Sequence, residues 1–225
     1  MIPLRDDLPT RSVAVVTAGL IVANVLLFFY ELSLGPKVND FVLTFGAIPA
    51  NLAHGLVGGK PALLAASSVF TSMFLHGGWM HLVGNMLYLW IFGNNIEDAT
   101  GHLRFIFFYL LCGFVAAYTH ALTNVASHVP MVGASGAISG VLGAYLLLYP
   151  HAKILTLVPI GFFIQVIQIP AVLVLGFWFF VQFLNAILGL GEVGGIAWFA
   201  HIGGFLAGMV LIYPFKKKGR KRRGR

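Results

Sequence analysis

Apolar stretches close to the length of a bilayer crossing recur along the chain, separated by polar or broken segments. They fall at 13–31, 80–96, 103–122, 134–148, 171–190 and 196–215. A helix needs about 20 predominantly apolar residues to cross the hydrocarbon layer, so the pattern predicts six transmembrane helices and an all-α polytopic membrane protein. Two apolar regions resist this count. Residues 41–78 are interrupted by Pro49, Gly55, Gly58, Gly59 and Pro61. No piece is long enough to cross, and short helices lying at the interface are expected there. Residues 154–169 are punctuated by Pro159, Gly161, Gln165 and Gln168 and are expected to form an interfacial or re-entrant approach to the fifth span.

Composition agrees with the membrane as solvent. Of 225 residues, 59% are hydrophobic and 9% charged, against about 25% charged in a soluble domain. The single cysteine, Cys112, lies inside an apolar run; it excludes an internal disulfide framework and a cysteine zinc site and reads as a small buried hydrophobe. The net charge is +7, and the terminal KKKGRKRRGR carries eight of the fourteen Lys and Arg. A basic block can mark nucleic-acid binding. Following directly on a hydrophobic span, it reads instead as an anchor on anionic lipid headgroups, with no nucleic-acid partner. The N-terminal segment shows no signal-peptide cleavage site, so the first span is expected to be retained.

The positive-inside rule orients the spans. With both termini cytoplasmic, the inner segments hold Arg5, Arg11, Arg104, Lys153 and the eight tail residues, and the outer ones only Lys37 and Lys60. The expected organisation is a cytoplasmic segment at 1–12, a six-span domain at 13–215 with an outer loop at 32–78, and a basic cytoplasmic tail at 216–225.

Polar residues within the spans then fall at one level. The second span opens with His76, His81 and Asn85, the fourth with Ser135, and the sixth with His201. All run outside to inside, and each polar group lies on the order of 5–10 Å below the outer surface at about 1.5 Å per residue. Polar groups at membrane depth are costly and face a partner or a wet cavity. His81 and Asn85, four residues apart, share a helix face. Gly136 with Gly140, and Gly204 with Gly208, are small-xxx-small pairs that let two helix backbones approach. Gly133 and Gly136 beside Ser135 leave open backbone for a substrate carbonyl.

A serine beside a histidine is a nucleophile–base pair: the imidazole takes the hydroxyl proton and returns it to a leaving amine. His81, Asn85 and the Ser135 N–H are the available oxyanion donors. A third, acidic member is not apparent. Glu97 and Asp98 lie about 25 Å below His81 by helical rise, Glu31 is on the first span, and Glu192 precedes the sixth. A Ser135–His201 dyad needing no metal or organic cofactor is expected. The sequence GASGA is not the G-x-S-x-G elbow of soluble hydrolases, because Ala137 takes the last position. His54, His102, His120, His128 and His151 read as interfacial residues. A metal or proton transporter using His76, His81 and His201 is the rival class; the polar groups cluster near one side, and no inverted repeat is visible.

The segments HGGWMHLVGNMLYLWIFGNNIED, GASG and AHIGG, in that order on the second, fourth and sixth spans, resemble the rhomboid intramembrane serine proteases, and the N-terminal IPLRDDLPTRS resembles bacterial members. The resemblance covers nearly the whole chain. It implies a six-helix bundle in the bacterial inner membrane that cleaves transmembrane segments of other proteins. At matching positions it implies Ser135 as nucleophile, His201 as base, and His81 and Asn85 at the oxyanion. It implies structural support from His76, Gly93 and Glu97, a half-submerged loop at 32–78, and a lateral substrate gate at the fifth span. The position four after the serine, a tyrosine in many members, is Ser139, so Ser139 or a water is expected to steady His201. An arginine that some members pair with the loop tryptophan is missing beside Trp79. Relatives that bind membrane helices without cutting them typically lack the serine or the histidine; this chain has both.

Overall fold

The computed structural model describes residues 1–55, 62–160, 163–189 and 196–217. Glu192 and residues 218–225 of the basic tail lie outside that set. Each apolar stretch read as a span is helical. Helix α1 is Val15–Ser33; after a short 3-10 turn at Gly35–Lys37 come α2, Val38–Phe45, α3, Pro49–Ala53, and α4, Ala62–Ser72. These short helices occupy the proline- and glycine-broken region, where no apolar run persists long enough to make a longer one. Helix α5, Trp79–Tyr88, continues through a π-helical turn at Leu89–Gly93 into α6, Asn94–Thr100. Helix α7 is His102–Thr123, α8 is Ser135–Leu148, α9 is Ala171–Ile187 and α10 is Trp198–Phe215. Among single α-helices of the described residues, α1, α7 and α10 are long and apolar enough to cross a membrane; α8 and α9 are shorter apolar helices.

The centre of the bundle is α8, packed against α7 and α10. Its residues Ala137 through Tyr145 are all buried. Small residues set this packing. A Cβ on Gly204 would collide with the carbonyl oxygen of Gly136, one on Gly208 with that of Gly140, and one on Gly143 with that of Phe205. The α8 and α10 backbones therefore touch, and dispersion contacts rather than water exclusion hold two such helices together in lipid. Cys112 is buried and free, against Gly140.

The expectation of an all-α chain is corrected by a three-stranded antiparallel sheet in the order β1–β2–β3. Strand β1 is Ile2–Asp6, β2 is Lys153–Ile160 and β3 is Phe163–Pro170. The segment expected to approach the fifth span takes the form of a hairpin, paired from Lys153↔Pro170 to Ile160↔Phe163. Its Val- and Ile-rich composition suits a pleated surface, and it is too short between prolines to make a span. The N-terminal segment, for which the sequence suggested no strand, supplies the third one, with Asp6 opposite Ile154.

Carboxylates at this end of the bundle fasten the segments together. Buried Glu97 accepts hydrogen bonds from the N–H groups of Val16 and Thr17 (2.9 and 2.7 Å) and from the Thr17 hydroxyl (2.7 Å), and it pairs with His102. It thus caps α1 from another helix, where free N–H groups and the helix dipole favour an anion. Gly93 permits this approach, since a Cβ there would sit 3.2 Å from Thr17 Cγ2. Asp98 accepts from Ser12 Oγ (2.7 Å) and from the Arg11 N–H (3.2 Å). Asp6 accepts from Tyr145 Oη (2.7 Å) and from Asn95, tying β1 to α8 and α6.

Candidate active site

The first turns of α5, α8 and α10 meet at the opposite end of the bundle from Glu97. Ser135 is the first residue of α8. The chain reaches it through Gly133, whose φ of +118° few side-chain-bearing residues adopt, and whose N–H donates to Ser72 O at 2.8 Å. A Cβ on Gly133 would lie 2.6 Å from His81 Nε2 and 3.5 Å from Asn85 Nδ2. The imidazole and amide of α5 are thus pressed against the backbone two residues before the serine. The first N–H groups of α8 have no acceptor within the helix, so backbone and side-chain donors share one small region.

Ser135 Oγ and His201 Nε2 are 2.8 Å apart, within direct proton-transfer distance. Both residues are half-buried. The approach depends on the backbone contact of α8 with α10: Gly136 also faces Ala116 of α7, 2.8 Å from where its Cβ would be. A small cavity of about 40 Å³ opens beside Ser135, walled by Ser72, Met73, Gly113, Ala116, Gly136 and Ala200. Met131 also lines it, and the two methionines carry the long side chains of a wall otherwise made mostly of small residues.

The second imidazole nitrogen of His201 does not meet an acid. Its Nδ1 lies 2.8 Å from Gln182 Oε1 on α9. Trp178, one turn earlier on α9, lies against the imidazole with ring centroids 5.9 Å apart and planes inclined by 36°, and Trp198 meets the ring edge-on at 6.1 Å. The expected support from Ser139 is corrected. Its hydroxyl donates to the Ser135 carbonyl at 2.6 Å, four residues back, a geometry a helical serine adopts readily, and so it steadies the first turn of α8 rather than His201. Gln182 and Trp178 belong to no motif that marks them in the sequence. An amide inside the apolar run FWFFVQFLNAI was the available signal, since such a group needs a partner at membrane depth.

His76 is buried just before α5, and its Nε2 is 3.0 Å from Asn85 Nδ2, so a ring lone pair there accepts one amide hydrogen. The second amide hydrogen of Asn85 remains for another acceptor. The His76 N–H donates to the Glu31 carboxylate at 3.2 Å, and its ring lies 5.1 Å from that of His81. Glu31, at the end of α1, is a further residue whose place the sequence did not reveal. It holds the loop that carries His76. Glu97 takes no part at this end. Gly204 serves the α8–α10 contact. Among the described residues no group of three or more His, Cys, Asp or Glu side chains is arranged to hold a metal.

Comparison with known proteins places this geometry in context. The Rhomboid domain family model matches residues 64–218, which spans α4 to α10 and includes every side chain just described except Glu31. The chain is 33% identical over 198 residues to rhomboid protease GluP of Bacillus subtilis, covering 86% of this chain and 34% of that protein. It is 32% identical over 175 residues to the mitochondrial rhomboid protein 1 of Saccharomyces cerevisiae, covering 74% of this chain and 46% of the relative. It is 36% identical over 141 residues to RHOMBOID-like protein 4 of Arabidopsis thaliana, covering 61% and 31%. The chain spans about a third to a half of the length of these curated relatives. With a family match over well more than half of its residues, and apolar helices throughout, this chain is a multi-pass membrane protein that belongs to the rhomboid family.

Proposed function

We propose that the protein is an intramembrane serine endopeptidase. It cleaves transmembrane segments of other membrane proteins with Ser135 as nucleophile and His201 as general base. The observation that carries this reading is the 2.8 Å separation of Ser135 Oγ and His201 Nε2, two half-buried polar groups of a kind that is costly at membrane depth. Helices α1, α5–α6, α7, α8, α9 and α10 form six crossings. Both termini face the cytoplasm of a bacterial cell and the Ser135 end faces outward, as the distribution of Lys and Arg favours. The basic tail rests on anionic lipid.

A substrate helix enters past α9 and unwinds near the outer surface. Its scissile carbonyl sits over the first turn of α8. As the Ser135 Oγ–carbon bond forms, the hydroxyl proton passes to His201 Nε2. The negative oxygen is met by the Ser135 N–H, the free hydrogen of Asn85 and His81. His201 then protonates the departing amine as the carbon–nitrogen bond breaks, leaving an acyl-enzyme. Water, entering from the outer side, gives a proton to His201 as its oxygen attacks the ester, and His201 returns that proton to Ser135 Oγ as the ester bond breaks, releasing the acid and restoring the serine. The small cavity by Ser135 takes the side chain that precedes the scissile bond, so that side chain must be small.

The test is cleavage of a reporter transmembrane segment by purified protein in lipid. Wild-type protein should cut a reporter with alanine before the scissile bond, near its outer boundary. Phenylalanine in that place should suppress the cut. Ser135→Ala and His201→Ala should each lower the rate by several orders of magnitude, as loss of either member of such a pair does elsewhere. Cleavage that survives both substitutions, or a cut at the cytoplasmic boundary, refutes the reading.

A further inference from the structure

We infer that Gln182 is the positioning residue of the dyad: its amide fixes the tautomer of His201 so that Nε2 carries the lone pair facing Ser135. This rests on the protease reading above for its catalytic meaning, but its structural content stands apart from it.

The orientation of the amide is decided by its other partner. Gln182 Nε2 donates to the Trp178 carbonyl oxygen at 3.3 Å. A carbonyl only accepts, so the nitrogen of the amide must point there, and the oxygen is left facing His201 Nδ1 at 2.8 Å. An amide oxygen also only accepts. The imidazole must therefore carry its proton on Nδ1. In the neutral ring the remaining nitrogen, Nε2, is then a lone-pair acceptor, and the group within its reach is the Ser135 hydroxyl. The chain of donors runs one way: Ser135 O–H to Nε2, Nδ1–H to Gln182 Oε1, Gln182 N–H to Trp178 O. The opposite tautomer would set a lone pair against a lone pair at Gln182, and at Ser135 it would make Nε2–H a donor to the hydroxyl oxygen, leaving no base for the serine proton.

Burial makes this selection effective. Gln182 is 6% exposed and sits on a stripe of α9 otherwise made of Ala171, Val174, Leu175 and Ala186. It is the only polar member of that stripe, and no neighbour there competes for its oxygen. Trp178, on the same face, limits tilting of the imidazole. When Ser135 yields its proton, both ring nitrogens bear hydrogen and the Nδ1–H bond to Gln182 persists. A neutral amide supports the imidazolium by its dipole alone, without the full charge that an aspartate brings to a three-membered triad. The titratable groups on other helices that lie toward His201 are His81 on α5 and His120 on α7.

The test compares wild-type protein, Gln182→Met and Gln182→Glu in lipid nanodiscs, with Ser135→Ala as the reference for lost activity. Methionine fills similar space and offers no comparable acceptor. Its kcat should fall about 10- to 100-fold, with KM within about twofold, the size of effect given by losing one buried orienting hydrogen bond. Glutamate accepts the same proton and adds charge beside the imidazolium. It should restore much of kcat and move the acidic limb of the kcat/KM profile to higher pH, which a purely structural role would not do. Nitrogen NMR of histidine-labelled, unreacted wild-type protein should show His201 protonated on Nδ1. A Gln182→Met enzyme within about twofold of wild type in kcat, an unmoved acidic limb in Gln182→Glu, or a wild-type His201 protonated on Nε2 would overturn the inference. The NMR result needs neither a folded variant nor activity. Failure of the protease reading would show separately, as Ser135→Ala cutting at the wild-type rate.

Discussion

Gly133 shows how much of the site rests on the absence of a side chain. Its φ of +118° and the 2.6 Å that would separate a Cβ from His81 Nε2 act together. Alanine there meets backbone strain of about 1–3 kcal/mol and also pushes His81 out of place. Gly133→Ala is therefore expected to lower the unfolding midpoint by a few degrees and the cleavage rate by tenfold or more, read by thermal unfolding and reporter turnover on the same preparation. A variant with wild-type turnover would mean that His81 is not needed where it lies. At this scale the sequence was informative where chemistry is rare. A hydroxyl among glycines and a histidine in an apolar span declare themselves, and Ser135 and His201 do lie together. Gln182 did not, because an amide on one face of an apolar helix has many possible partners, and only the packing of α9 on α10 selects the imidazole.

The helices were the most legible elements, since runs of apolar residues without charge have few alternatives to a membrane helix. The sheet was not. Strands β2 and β3 are apolar on both faces, so the alternation that marks a strand at a water surface is missing, and β1 is fixed by a partner some 150 residues away in sequence. That distant pairing makes a separate prediction. The Asp6 carboxyl is held above the usual carboxylate range, first by burial and then by neighbouring Asp7, against the lowering effect of its bonds from Tyr145 and Asn95. A carboxyl with a raised folded value binds its proton more tightly when folded. Its protonated form stabilises fully below the ordinary value, and that contribution is lost as pH rises through the raised one. Asp6→Asn keeps an acceptor for Tyr145 and Asn95 but does not titrate. As a stand-in for the protonated carboxyl it should match wild type most closely at acidic pH and be at least as stable at neutral pH, and it should lack the part of the wild-type gain on acidification that Asp6 contributes. Asp6→Ala, leaving those donors unpaired, should cost about 1–3 kcal/mol. Thermal unfolding of the three proteins between pH 7 and pH 4 checks this; identical pH dependence in wild type and Asp6→Asn would refute it.

Across the whole molecule, the two ends of the bundle divide the work. At one end Glu97, Asp98 and Asp6 satisfy helix termini and tie the N-terminal strand to α6 and α8, so the ends of α1, α6 and α8 are pinned. At the other, small residues let α8 and α10 touch, and the polar side chains of α5, α8, α9 and α10 converge on one small region. There an imidazole and a hydroxyl stand at bonding distance, with the Gln182 amide rather than a charged group on the far side of the ring. The proposed entry of substrate past α9 would place the helix whose Gln182 bonds His201 beside the incoming chain.

The most direct measurement is covalent labelling of the nucleophile. The purified protein in nanodiscs is treated with a fluorophosphonate or isocoumarin probe, and the adduct is located by mass spectrometry. The account predicts modification at Ser135 in the wild-type protein and at least a hundredfold slower labelling in His201→Ala, about the loss expected when a general base is removed. Labelling confined to another residue, or labelling of Ser135 at the wild-type rate without His201, would contradict it.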